Sequence, residues 1–574
     1  MSPASVAEAP LTKKASTARS LGLLAVATVL CLLPFSGRAF NIDDPLFLWS
    51  AQHILHHPFD PFGFQVNWYQ QSLPMSQVTE NPPLACYYAA LIGSIAGFSE
   101  RALHLGFLLP ALAVVLGTYR LAQCLTRSPL VAAAATLFAP GLLISAGSVM
   151  CDTLMLAFWM WAVVLWVEGL DGRRQGYLLA AALLTSAAAL SKFFGISLVP
   201  LLFAYSFARF RRVGRWAGYL AVPIAVLVGY HFWTHALYGV GMFGTAMAYA
   251  PQRILQGRLH ALFYPVVCAS FIGGCALPAL LMAPLLWSRR SIVITSLVVG
   301  VAAASGLYLL RYHLPMASTG TLLQQHSTSV GLQLAIYVAG GISVLALAVA
   351  DLRQHRDADS LLLAPWVFGT FAFAAFLNWT INARSILPLI PPVGILLARR
   401  LDAVRPRAGV AHAGKTAVAL LVSAGLALWI ARADLELAAS GKRAAEVLRE
   451  RTRNTAGTVW FEGHWGFQYY MQQMGLHAFD FTHTSLHPGD VVIVPRDDFT
   501  TVGPPRQFVS LVETLQLPLR EPVTTLSSEM GAAFYHSGYG PLPFAWGKVP
   551  PQQYAIYHIA VPLRPEQWPP LRPK

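Results

Sequence analysis

Long apolar segments separated by short polar loops recur along most of this chain. Runs of about 16 to 26 predominantly apolar residues follow one another from Leu21 to Ala431. Each run approaches the roughly 20 residues that an α-helix needs to cross the hydrocarbon core of a bilayer. The pattern predicts an all-α polytopic membrane domain over residues 21–431, preceded by a short N-terminus of residues 1–20.

The pattern changes after Ala431. A polar, helix-prone stretch, DLELAASGKRAAEVLRERTRN, is followed by GTVWFEG, HWGFQYYMQQMG, HAFDF and GDVVIVP. Short β-rich runs with glycines between them indicate the order strand, helix, strand, strand. We therefore expect a small α/β domain at 432–574 outside the membrane, with the last 40 residues, rich in Pro and aromatic side chains, as coil.

The composition agrees with a membrane protein. Hydrophobic residues make up 55% of the chain and charged residues 11%, and the mean hydropathy is +0.52. The net charge of +14 would favour nucleic acid only if the basic residues shared a soluble surface. Most of them occupy short loops between apolar runs, so we expect no nucleic-acid partner.

The basic loops predict the topology, because Lys and Arg concentrate in cytoplasmic loops. A full crossing at 82–97 would put the basic loop near 125 on the wrong side, which favours a shallow or partial helix there. About 13 spans result, with the N-terminus inside and with a first outer loop at 38–81 and the tail outside. No small-residue cleavage site follows the first apolar run, which favours a retained helix over a signal peptide. The loops assigned to the cytoplasm lie near 125 and at 171–176, 209–215, 288–290, 351–357 and 398–407.

Polar residues at the predicted outer ends of the helices are the candidates for function, since ionisable groups at a membrane interface are costly. Cationic groups there could hold a lipid phosphate, while a carboxylate could take a proton from a hydroxyl or amino acceptor. Ten candidates share the predicted outer side: Asp43, Asp44, Glu80, Asn81, Asp152, Lys192, Arg253, Arg258, His260 and Arg384.

Five short motifs in order carry a family resemblance: DD in the first outer loop, ENPPLACYY, GSVMCDTLMLAFW, ALSKFFGISLVPLL and NARSILPLIPP. Together they resemble the C-type (GT-C) glycosyltransferases. Among these, they are similar to the dolichyl-phosphate-mannose protein mannosyltransferases (glycosyltransferase family 39) and to the bacterial lipid A aminoarabinose transferases. The resemblance spans roughly residues 20 to 400 and implies the GT-C fold for the membrane domain.

The resemblance also implies roles for single residues. Asp43 matches the family's general base, and Asp44 is its neighbour in the catalytic pair. Glu80 matches an acid before a Pro-containing turn, and Asn81 stands where the aminoarabinose transferases commonly have a Lys. Substrate-binding roles are implied for Glu80 and Asn81 and for five further residues: Asp152, Lys192, Arg384 with Ser385 in place of the family's aromatic, and, by a loose alignment, Arg253 and Arg258.

His260 belongs to the same loosely aligned loop. Glu80 and His260 could together form a divalent-metal site, and no other cofactor is expected. His53, His56 and His57 share a helical face and could ligate zinc, but without a clear Asp, Glu or Cys partner interfacial packing is the favoured interpretation. In the tail, aromatic side chains such as Trp465 and Tyr469 could stack on a sugar or form the core of a small domain.

The implied activity is transfer of a sugar from a polyprenyl-phosphate donor to a glycan, lipid or protein acceptor, with inversion. The donor's lipid tail makes membrane lipid a further partner, and the implied location is a bacterial inner membrane with the active site and the tail periplasmic. A transporter or flippase of lipid-linked sugars and a non-enzymatic scaffold are the alternatives. Simpler roles also exist for single residues: helix capping by Asp43, Asp44 and Asp152, and interfacial anchoring by Lys192 and Arg384.

Overall fold

The computed structural model describes residues 8–68, 70–79, 81–246, 258–313, 319–404, 409–498 and 501–568. Helices dominate up to residue 451, and most strands follow. Eight described helices are long and apolar enough to cross a membrane, or nine if one bent pair forms a single span. The predicted class, a polytopic helical membrane domain with a small C-terminal α/β domain, is confirmed; the count of about 13 spans stays a prediction.

The longer helices of the membrane domain follow one another with short connections. The helix Cys151–Asp171 is the most buried of the candidate spans, with 78% of its apolar window inside the protein. It packs mainly against the helices Glu100–Leu125 and Gln175–Ser191. In chain order these helices are Glu8–Leu32, Asp44–His56, Leu84–Ala96, Glu100–Leu125, Pro129–Leu137, Cys151–Asp171, Gln175–Ser191, Leu198–Phe210, Ala221–Tyr238, Arg258–Cys275, Leu277–Leu286, Arg289–His313, Thr319–His355, Ala358–Ala372, Ile390–Val404 and Gly409–Arg451.

The helix Leu84–Ala96 has 13 residues. At 1.5 Å per residue it is about 20 Å long, short of the roughly 30 Å hydrocarbon core. The partial helix expected at 82–97 therefore agrees with the structure. A proline near the start of Leu277–Leu286 accompanies the sharpest break, an 84° bend between that helix and the one before it.

The helix Gly409–Arg451 crosses the predicted boundary at 431/432 without interruption. Its 43 residues extend from the membrane domain into the tail. The change in composition at Ala431 therefore marks a change of surroundings and not the end of a helix. Asp434, just beyond that point, is buried where the helix meets the tail.

The tail contains short strands that form a five-stranded sheet and smaller pairs. In chain order they are β3 (Val459–Phe461), β4 (His477–Ala478), β5 (Val491–Pro495), β6 (Val509–Leu517), β7 (Val523–Thr524), β8 (Leu526–Ser527), β9 (Ala532–Ala533), β10 (Ala545–Trp546) and β11 (Gln552–Ile559). The five-stranded sheet has the order β4-β3-β5-β11-β6. β3 is parallel to β4 and β5, whereas β11 is antiparallel to β5 and β6. The predicted strand, helix, strand, strand order is confirmed by β3, the helix Trp465–Gln473, β4 and β5.

The prediction of coil for the last 40 residues is wrong. β11 lies there, between β5 and β6, with Ile556 opposite Ile493 of β5. Its sequence QQYAIYHI has β-favouring Tyr and Ile, and the pairing partners on both sides fix it as an inner strand. The prolines on which the coil prediction rested lie outside the strand.

The first outer loop contains a β-hairpin that the sequence did not indicate. β1 (Gln65–Trp68) pairs with β2 (Gln71–Pro74). This hairpin bonds to the tail: the Asn67 side-chain amide donates to the Phe479 carbonyl, and the Phe481 amide donates to the Gln70 carbonyl, both at 3.0 Å. Hydrogen bonds therefore join the hairpin segment to the tail.

One buried acid in the tail, Glu462, allows us to predict how the stability of the tail depends on pH. Glu462 follows β3, is fully buried, and accepts hydrogen bonds from the Val502 and Gly503 amides. Burial, with a smaller contribution from the nearby Asp498, raises its pKa to about 7 despite those two bonds. An unfolded chain would ionise this group near pH 4.

We expect the stability of the tail to fall as the pH rises through this interval, because the folded chain holds a proton that the unfolded chain has lost. Between about pH 5 and about pH 8 the thermal midpoint of the detergent-solubilised protein should drop, and Glu462→Gln should reduce that drop. Glu450→Gln, at an exposed residue, is the matched control. An equal drop in wild type and Glu462→Gln would contradict the assignment.

Candidate active site

Four charged side chains meet at the end of the bundle that contacts the tail, and we call them the charge quartet: Asp43, Asp152, Lys192 and Arg384. An Arg384 Nη1 donates to Asp43 Oδ2 at 2.9 Å, and Lys192 Nζ donates to Asp152 Oδ1 at 2.6 Å. Arg384 also lies close enough to Asp152 to interact with it electrostatically. The structure thus brings together four of the predicted site residues from four separate segments.

Asp43 lies at the turn before the helix Asp44–His56. Pro45 occupies the first turn of that helix, where its missing N–H costs nothing. Asp43 has the N-cap position, yet within the described structure its side chain makes no capping hydrogen bond and extends to Arg384. Ile42 before it has a left-handed φ of 52°, an uncommon conformation for a β-branched residue. Capping therefore does not account for Asp43.

Asp152 and Lys192 belong to consecutive helices. Asp152 is the second residue of Cys151–Asp171, so its carboxylate also lies near the positive end of that helix. Lys192 follows the last residue of Gln175–Ser191 in an extended conformation. The Asp152 side chain is 2% exposed and that of Lys192 22%. Lys192 therefore pairs with a buried carboxylate instead of extending to lipid headgroups.

Arg384 lies in the short helix Ala383–Ile386, which the Asn382 side chain caps by accepting from the Ser385 amide at 2.8 Å. Its guanidinium also contacts Met150 Sδ. The Nε of Arg384 is buried and has no hydrogen-bond partner among the described residues. A buried donor without a partner is costly, and it is therefore a suitable contact for an incoming anion.

Asp44 has a different environment from Asp43. It is fully buried, and its oxygens accept from the Asn41 amide at 2.9 Å, the Val149 amide at 2.8 Å and Arg38 Nη1 at 3.3 Å. A carboxylate occupied in this way has no surface for a substrate. The geometry supports a positioning role for Asp44, holding the first outer loop against the turn before Asp152, and does not support its predicted place in a catalytic pair.

Arg38 extends this contact into the tail. It is 2% exposed, and besides Asp44 it donates to Asp434 Oδ2 at 3.0 Å and to the Tyr535 hydroxyl at 3.2 Å. Asp434 in turn accepts from Thr525 at 2.7 Å. The sequence does not single out Arg38, Asp434 and Tyr535, since its only local signal is an arginine next to the end of an apolar run.

The remaining predicted site residues, apart from Asn81, have side chains outside the described part of the structure. Asn81 precedes the helix Leu84–Ala96, and its backbone amide donates to Thr79 Oγ1. Glu80 and Arg253 lie outside the described residues, as do the side chains of Arg258 and His260, so the proposed metal pair stays a prediction. Within the described part of the chain, no group of three or more His, Cys, Asp or Glu is placed to hold a metal ion.

The histidines and tail aromatics have mainly packing roles. The His53 and His57 rings stack at 4.6 Å, and burial together with these neighbouring imidazoles lowers the pKa of His53. Tyr469 packs edge-on against Phe40, and the Tyr470 hydroxyl accepts from the Phe40 amide at 2.8 Å. The tail aromatics therefore hold in place the segment just before Asp43.

Part of this chain matches a known family. A family model described as dolichyl-phosphate-mannose-protein mannosyltransferase matches residues 80–234, the region that carries Asp152 and Lys192. The resemblance to the C-type glycosyltransferases is confirmed over this region. No curated protein sequence matches the chain.

Several solved structures resemble the chain at low identity. The archaeal oligosaccharyltransferase AglB from Archaeoglobus fulgidus, in complex with an inhibitory peptide and a dolichol-phosphate, is 14% identical over 82% of this chain, with a TM-score of 0.49. This chain spans 64% of the length of that archaeal chain. ArnT from Cupriavidus metallidurans, bound to undecaprenyl phosphate, is 14% identical over 83% of this chain and 93% of its own, with a TM-score of 0.41.

The arabinofuranosyltransferase AftD from Mycobacteria is 15% identical over 95% of this chain and 40% of its own, with a TM-score of 0.40. Function is inferred from the charge quartet and from the family match.

The buried contacts of Arg38 predict that its replacement lowers the free energy of unfolding. Arg38→Leu would leave Asp44 and Asp434 buried without their cation, which we expect to cost about 3–5 kcal/mol. Arg432→Gln is the matched control, because Arg432 is 72% exposed and its pair with Glu521 should contribute about 0–1 kcal/mol. The measurement is the thermal midpoint of both purified variants in detergent. Equal midpoints for the two variants would contradict a structural role for Arg38.

Proposed function

We propose that this protein is an integral-membrane glycosyltransferase that moves a sugar from a polyprenyl-phosphate donor to an acceptor with inversion at the anomeric carbon. The acceptor is a glycan, lipid or protein, and the reaction takes place on the periplasmic side of a bacterial inner membrane. The observation that carries the proposal is the pairing of a partly exposed aspartate, Asp43, with an arginine that also lies near a lysine and a buried acid.

The quartet divides into a phosphate-binding part and a base. Arg384 and Lys192 supply guanidinium and ammonium donors suited to a phosphate. Asp152 fixes Lys192 in place, since its carboxylate is 2% exposed and bonded to the ammonium. Asp43, with 29% of its side chain exposed, is the acid best able to reach an acceptor.

Binding of the donor must change this arrangement, because both cations already contact a carboxylate. The buried Asp152 is confined by its surroundings, whereas Asp43 is partly exposed and lies at the end of a loop. A donor phosphate can bind the unpartnered Nε of Arg384 and compete for its Nη1. Asp43 is then released towards the acceptor, so the base becomes available only when the donor is bound.

The chemistry is a single displacement. The acceptor oxygen or nitrogen attacks the anomeric carbon as the bond from that carbon to the phosphate oxygen breaks, and Asp43 takes the acceptor's proton. The bonding electrons leave with the lipid phosphate, whose growing negative charge Arg384 and Lys192 stabilise. One base acting on the face opposite the leaving group produces inversion.

Removing the base should abolish transfer while leaving the donor site in place. We expect Asp43→Asn to lower the transfer rate about 10²–10⁴-fold. The measurement is mass spectrometry of lipid-linked sugars and envelope glycans in a deletion strain complemented with each variant. Loss of product should accompany accumulation of the donor.

The control for this experiment is Asp171→Asn, which removes an acid that is 44% exposed at the other end of the bundle. It should transfer at the wild-type rate. Wild-type transfer by a correctly inserted Asp43→Asn protein would refute Asp43 as the base. Loss of sugar flipping in vesicles by this variant would instead favour a flippase.

The cations should affect donor binding as well as turnover. We expect Arg384→Gln to raise the donor KM and to lower kcat by about 10²–10³-fold, because charge develops on the phosphate in the transition state. Arg384→Lys should recover only part of this loss, since an ammonium cannot form the paired bonds of a guanidinium. Steady-state kinetics in membranes with added donor gives both constants, and an unchanged KM and kcat would contradict the assignment.

A further inference from the structure

A cavity of about 600 Å³ lies at the end of the bundle opposite the charge quartet. It opens between the C-terminal part of the helix Thr319–His355 and the C-terminal part of Ile390–Val404. The helix Ala358–Ala372, which follows Thr319–His355 in the chain, runs back from this end to the segment that carries Arg384. Its continuation to Leu377 makes 20 residues, or roughly 30 Å at 1.5 Å per residue.

The cavity has a cationic mouth. Arg353 is exposed there, and the Arg400 guanidinium lies over the Trp287 ring at 5.1 Å from the ring centre. The Trp287 ring is itself held by a hydrogen bond from its Nε1 to Ser343 Oγ at 2.9 Å. An aromatic ring with a polar edge at this level is typical of the boundary between hydrocarbon and water.

The hydrogen-bond donors of Arg400 make only long contacts or have no partner among the described residues. Its contacts to Gln354 Oε1 at 3.4 Å and to the Leu286 carbonyl at 3.5 Å are long, and its buried Nε has no partner among the described residues. Its neighbour Arg399, by contrast, donates to Asp351 at 2.8 Å. Of the two adjacent arginines, Arg399 is neutralised by a carboxylate, while in the described structure Arg400 and Arg353 form no ion pair.

The floor of the cavity is apolar. Ala346, Val349 and Ala350 line it, one to two helical turns from Arg353 on the same helix. A soluble anion would have no contact with these side chains. A phospholipid would occupy both the cationic mouth and the apolar floor of the cavity, with its phosphate at the arginines and an acyl chain along the floor.

We propose that this cavity binds the headgroup phosphate of an anionic phospholipid, with an acyl chain packed against Ala346, Val349 and Ala350. Arg400 and Arg353 supply the charge-assisted hydrogen bonds. The site is separate from the quartet, so this inference does not depend on the proposed sugar transfer.

The test uses the full-length protein in detergent and native mass spectrometry, with phosphatidylglycerol as the probe and phosphatidylcholine as the neutral comparison. Wild type should bind phosphatidylglycerol more tightly. Loss of each arginine should weaken that binding about fivefold, so Arg353→Gln/Arg400→Gln should weaken it about 30-fold. Arg212→Gln, at an exposed arginine in another loop of the same end, should bind as wild type does.

Two further measurements complete the test. Ala346→Phe keeps both arginines and fills the floor, so it should also reduce phosphatidylglycerol binding and remains informative if the double variant fails to fold. Inorganic phosphate should not compete with the lipid at equal concentration. Undiminished phosphatidylglycerol binding by both Arg353→Gln/Arg400→Gln and Ala346→Phe, or equal competition by inorganic phosphate, would overturn the proposal.

Discussion

The contact between Asp43 and Arg384 is the interaction on which the rest of the site depends. It joins the first outer loop to the segment before the helix Ile390–Val404, and through Arg384 it connects Asp43 with the pair of Asp152 and Lys192. Two acids and two bases compensate one another in surroundings of low polarity, where an uncompensated charge is very costly. An anion that enters the site must therefore displace a carboxylate, and Asp43 is the more exposed of the two.

A second, fully buried set of charges holds this site in position. Arg38 joins Asp44, one residue after Asp43, to Asp434 in the long helix that enters the tail. Tyr535 and Thr525 of the tail complete the hydrogen bonds of Asp434. The tail thus fixes the loop that carries Asp43, which gives the α/β domain a structural role in holding the charge quartet.

The sequence predicted those features that depend on local pattern. The apolar runs indicated the spanning helices, and VWF, WGFQYYMQQ and VVIVP indicated the first strands and the helix of the tail. β11 was missed because its place in the sheet depends on partners in β5 and β6. The uninterrupted helix Gly409–Arg451 was divided at Ala431, since a change of solvent alters composition without ending a helix.

The same distinction between local sequence pattern and contacts distant in sequence applies to the site residues. Asp43, Asp152, Lys192 and Arg384 could be selected because each is an ionisable residue at a predicted outer helix end within a recognisable motif. Arg38 could not, because its partner Asp434 is 396 residues away and a single arginine after an apolar run is typical of a membrane flank. Asp44 and Asp43 are adjacent in sequence, and only the fold shows that one is enclosed and the other partly exposed.

The most direct test of the account is an experimental structure of the full-length protein with a bound polyprenyl phosphate. We expect the phosphate between Arg384 and Lys192, with the carboxylate of Asp43 detached from the guanidinium and facing the space left for an acceptor. A phosphate bound elsewhere, with the contact between Asp43 and Arg384 unbroken, would contradict the account.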